Sequence, residues 1–89
     1  LQTVDELTAM LQSRPNVRPK TESALKQMLD VYNNYKTERA SLEAMNVSKV
    51  LVDNLQASTL SQLQTLSEYN ENTKAAYDVL FSRLPGIGN

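Results

Sequence analysis

Residues 21–45 read TESALKQMLDVYNNYKTERASLEAM, with neither glycine nor proline among them. Leu25, Met28, Leu29, Tyr32, Tyr35, Leu42 and Met45 share one stripe at helical spacing, with Arg39 interrupting it. Glu22 and Lys26 add an i,i+4 pair in the favourable order, worth about 0.3 kcal/mol. The helix starts at Pro19 or Thr21, since proline at the first helical position loses no needed hydrogen bond. It runs to about Met45, roughly 26 residues or ~39 Å at 1.5 Å per residue.

Upstream lies Arg14-Pro15-Asn16-Val17-Arg18-Pro19-Lys20, a connecting loop with three basic residues and no acid. Its charge is too small for more than weak, salt-sensitive attraction. Ahead of it Val4, Leu7, Met10 and Leu11 predict a short helix, opened by a Thr3/Glu6 capping box and stopped at Arg14-Pro15.

Downstream, residues 46–58 allow two readings. Asn46 ends the long helix and Ser48 caps a short new one, or the helix continues to about residue 56. The side-chain caps in Asn46-Val47-Ser48 favour a break at 46–48. A last helix is expected from a Thr59/Gln62 capping box through Leu60, Leu63, Leu66, Tyr69 or Asn70, Thr73, Ala76, Tyr77, Leu80 and Leu84, with Pro85-Gly86 as its stop. Its length matches residues 19–45, so the two are expected to pack antiparallel, with the first helix over part of the groove between them. The fold class is therefore all-α, a three-helix antiparallel bundle with two long helices and one short N-terminal helix, or four helices if 48–57 forms its own. Residues 1–85 form one domain and 86–89 a flexible tail or linker.

Composition supports this. The two glycines lie at 86 and 88, and no Asn-Gly or Asp-Gly hairpin signal exists. Leu, Ile, Val and Phe number 22 of 89 residues, enough for a thin core. No apolar run exceeds Val50-Leu51-Val52 in length, so no membrane span is expected. Leu1–Asp5 lacks the basic and apolar regions of a signal peptide, and the Leu1 start reads as a piece of something longer. A cysteine-free chain fits any compartment and leans to a cytoplasmic one.

The chain has no His and no Cys, which excludes catalytic dyads and triads on those residues and Cys/His zinc sites. Nine Lys+Arg against ten Asp+Glu leave no electrostatic footprint for nucleic acid or an anionic membrane. Glu68, Glu71 and Asp78 form the densest acidic group, read as one helix face with Lys74 in its midst, and no histidine accompanies them to make a metal site. Asn46-Val47-Ser48 has the form of a glycosylation acceptor, and a mid-helix position argues against its use.

Function is expected to be non-catalytic, with no cofactor, metal or evident small-molecule substrate. The expected partner is another protein or a second copy. Tyr32, Tyr35, Arg39, Tyr69, Asn70, Tyr77 and Phe81 are the candidate contact residues. Tyrosine joins apolar area to a polar tip and is enriched at interfaces. Arg39, Asn46, Asn70 and Thr73 interrupt apolar stripes, as polar residues do where helices choose partners, or else mark where a drifting stripe meets water. An adaptor or scaffold module is the first reading. A lipid-surface bundle and a small inhibitor or chaperone of one target are the alternatives, the former lacking a Lys/Arg-rich polar face.

Overall fold

A computed structural model describes residues 2–13 and 19–87. They form α1 (Gln2–Ser13), α2 (Pro19–Ala44), α3 (Lys49–Ser67) and α4 (Glu71–Arg83), with no strand among the described residues. The fold is an all-α bundle, 45 × 24 × 19 Å.

The break after α2 lies where Asn-Val-Ser placed it, and its backbone explains why. Asn46 has φ 54°, the left-handed conformation that ends many helices. Its N–H donates to the Glu43 carbonyl at 3.1 Å, and the Val47 N–H donates to the Leu42 carbonyl at 3.3 Å. Those two bonds are the Schellman pattern, and they satisfy carbonyls the helix would leave unpaired. Ser48 then caps α3, its Oγ accepting from the Val50 N–H at 3.2 Å.

The expected single helix over 59–84 is corrected. α3 begins at Lys49 and takes in Thr59, which is buried in mid-helix rather than capping anything. The chain breaks at 68–70 because Asn70 is extended and caps α4. Asn70 Oδ1 accepts from the Thr73 N–H at 3.0 Å, and the Asn70 N–H donates to Thr73 Oγ1 at 3.0 Å. This reciprocal box uses threonine in the place usually held by Glu or Gln. The apolar period runs through the break almost in phase, so the period alone conceals it. The long antiparallel pair is thus α2 with α3, and α4 is about half the length of α2.

Three ties fix the directions. Asn70 Nδ2 donates to Thr21 Oγ1 at 2.8 Å, joining the starts of α4 and α2. Tyr35 Oη donates to the Pro85 carbonyl at 2.8 Å, and Arg39 Nη1 donates to Gln56 Oε1 at 3.3 Å. Hence α2 and α4 run the same way and α3 runs against both. α1 packs chiefly on α4 rather than over an α2–α3 groove, held by the Glu6–Arg83 ion pair and by buried Leu7. α1 starts at Gln2, ahead of Thr3; the Thr3 side chain and the 14–18 part of the basic loop lie outside the described residues.

Leu25, Met28, Tyr32, Tyr35, Leu63, Ala76, Leu80 and Leu84 join Leu7 in one core. Ala76 lets α4 approach closely between Thr73 and Leu80 on the same face. Thr21, Thr59 and Thr73 are buried as well, and no buried side-chain nitrogen or oxygen among the described residues lacks a partner.

Candidate interaction surfaces

The seven candidate residues do not form one face. Tyr32 and Tyr35 are 4% and 1% exposed, so they are core residues rather than a docking edge. The Lys36 ammonium sits 5.1 Å from the Tyr32 ring centroid and covers its outer side. α2 buries these rings because α3 and α4 both converge on its stripe. Asn70 is occupied in capping α4. Tyr77 is half-buried, accepts from Gln64 Nε2 at 3.3 Å, and meets Phe81 with ring centroids 5.9 Å apart. Phe81 is 38% exposed and Tyr69 half-exposed, so these two remain accessible, on different elements.

Arg39 is the centre of a polar node. Its Nη1 donates to Tyr35 Oη at 2.9 Å and lies within reach of Gln56, while Nε pairs with Glu43 Oε1 at 2.8 Å. The guanidinium also lies against Gly86, where an added Cβ would fall 2.5 Å from Nη2. The hydrogen bond to Tyr35 raises the Arg39 pKa above its ordinary value, so the group stays charged. Leu84-Pro85-Gly86-Ile87 closes as a tight turn, with the Ile87 N–H donating to the Leu84 carbonyl at 3.2 Å. Proline at its second position and Gly86 at φ 76° are the marks of a type II turn. Leu84 is fully buried and Ile87 packs on the core, so this segment belongs to the bundle's packing.

Concavities among the described residues flank the helices. A groove of about 470 Å³ lies between α2 and α3, lined by Gln27, Asp30, Val31, Ser61, Gln62, Thr65 and Leu66. A second, of about 380 Å³, continues it toward Lys20, Ala24, Glu68 and Tyr69. The third, about 460 Å³, lies between Arg39, Glu43 and Gly86 on one side and Lys49, Val52, Asp53 and Gln56 on the other, with Val47 at the hairpin end.

An exposed apolar group among the described residues was missed in the sequence, where Met45 reads as part of the long helix's stripe and Val50 and Leu51 as part of a short apolar run. They stand 66%, 62% and 49% exposed. The reason is reach: α4 and the turn after it extend along α2 only to the level of Tyr35 and Arg39. Beyond that level α2 and α3 continue as a two-helix tip that no other described helix covers, about 8–10 Å long at 1.5 Å per residue. Leu42, Val47, Val52 and Leu55 are half-buried within it.

The acidic residues are split by the break: Glu68 ends α3 and Glu71 begins α4, so they do not share a helix face. Among the described residues no group of three or more Asp or Glu is placed to hold a metal ion. Asn46 of the Asn-Val-Ser triplet is exposed in the α2–α3 turn rather than mid-helix. Compared with known proteins, the chain matches no family model, no curated protein and no solved structure.

Proposed function

We propose that this chain is a non-catalytic protein-interaction module that docks through the tip of its α2–α3 hairpin. One observation carries the reading: Met45, Val50 and Leu51 are exposed together within seven residues, on the part of the hairpin that no other described helix covers. Scattered single apolar residues on a surface need no explanation, but a cluster at a protruding end does. The tip is capped at both helix ends, which supports its acting as a shaped surface rather than a loose loop. Glu43 and Asp53 flank it with Lys49, a mixed-charge rim that suits a protein better than an anionic lipid surface.

A photo-crosslinking amino acid at Leu51 tests this in cells that make the protein. Expected are adducts of discrete mass at position 51, with none at the exposed positions Lys26 and Asn33. Equal adduct patterns at all three positions, or none at 51, would sink the reading.

A further inference from the structure

We propose that two copies of this chain pair across the groove between α2 and α3, α2 antiparallel to α2, in a weak two-fold dimer. The 470 Å³ and 380 Å³ concavities share Gln27, Thr65 and Leu66, so they form one trough. The residues that line it belong to α2, to α3 or to the short segment after α3, so it is open on the side away from α1 and α4. Val31 and Leu66 line it half-buried, and Tyr69 stands 51% exposed at one end. Ala24 lines it too, and its small side chain lets a second helix approach closely.

Charge selects the occupant. The charged residues of α2 on this trough are Lys20 at one end and Asp30 at the other. Neither forms an ion pair with another described residue. They lie ten positions apart on one helix, ~15 Å along its axis. A two-fold axis crossing α2 at the level of Leu25, midway between them, sets Lys20 of each copy beside Asp30 of the other. Two ion pairs then close at once, which is the self-complementarity that a two-fold contact requires. On α3 the same axis passes near Thr65, which lines both concavities. Glu68 of one copy then meets Gln62 of the other, and no acid faces an acid. A net charge of −1 leaves little repulsion between copies.

The shared span limits the affinity. α2 begins at Pro19, so about 13 of its residues overlap in such a pair, ~20 Å of helix. Two helices ~10 Å wide over that length present less than the ~800 Å² per partner of a stable interface, so the dimer is weak. Met45 lies ~30 Å along α2 from the axis, so pairing leaves both hairpin tips free and does not depend on the proposed function.

Sedimentation equilibrium on the full chain in low salt, from about 10 μM to about 1 mM, tests this. The weight-average mass should climb toward twice the monomer's across that range. Lys20→Glu and Asp30→Lys each bring like charges together and should weaken dimerisation by about tenfold or more. An equimolar mixture of the two single variants should dimerise again, because the mixed pair regains opposite charges at both sites. The double variant Lys20→Glu/Asp30→Lys should do the same. Both residues are exposed, so far-UV circular dichroism should show each variant folded, and a folding defect would not be repaired by mixing. A chain that stays monomeric at the highest concentration overturns the dimer and leaves the trough to a different protein. Dimerisation indifferent to both single variants, or not recovered on mixing them, overturns this interface. So does a dimer lost instead when Met45, Val50 and Leu51 are replaced by serine, whatever the crosslinking at Leu51 shows.

Discussion

Gly86 illustrates how much one residue can carry here. Its φ of 76° disfavours any side chain, and the space a Cβ would take is already filled by Arg39. Gly86→Ala therefore strains the backbone and evicts the guanidinium at once, with an expected loss of about 2 kcal/mol in urea unfolding. Tyr35→Phe removes a buried hydroxyl that donates to Pro85 and accepts from Arg39, and should cost about 1–2 kcal/mol by the same assay. Asn46 gives the opposite sign. It holds a left-handed position where glycine is at ease, so Asn46→Gly should leave stability unchanged or raise it by about 0.5 kcal/mol. None of this shows in a composition. Pro85-Gly86 reads correctly as a stop, but its turn is seated by Arg39, 47 positions upstream of Gly86.

At the level of elements, the helix ends are set by small polar caps, and these also decide what the sequence discloses. Thr73→Ala removes one half of the capping box from a fully buried site and strands the Asn70 N–H. The expected cost is about 1–2 kcal/mol, seen as a lower midpoint in far-UV circular dichroism melts. The all-α class and the break at 46–48 were legible, because glycine is absent from the helices and Asn-Val-Ser carries its caps locally. The break at 68–70 was not. Leu63, Leu66, Ala76 and Leu80 keep helical phase across it, and an Asn/Thr box lacks the Glu or Gln that advertises one. Tyr32 and Tyr35 read as contact residues yet lie in the core, because a stripe records which face is buried, not how many neighbours bury it. The exposure of Met45, Val50 and Leu51 was illegible for a related reason: it follows from where α4 stops, a property of another element.

For the molecule as a whole, burial and exposure divide the apolar residues into two populations with opposite sensitivity. Leu63→Ala empties a site with no solvent contact and should cost about 3 kcal/mol. Replacing Met45, Val50 and Leu51 together by serine should shift stability by no more than about 1 kcal/mol in the same unfolding experiment. A large loss from the triple variant would mean that the tip is structural. The contacts that close the bundle also have unequal sequence separations, and that has a kinetic consequence. α2 and α3 meet across a four-residue connection, whereas the Thr21–Asn70 and Tyr35–Pro85 bonds join residues 49 and 50 positions apart. Local pairings form with little loop entropy, so the α2–α3 hairpin is the natural nucleus and the docking of α4 comes late. Destabilising changes at Leu63 should then slow folding, while Tyr35→Phe should mainly speed unfolding, leaving the refolding limb of a chevron plot nearly where it was.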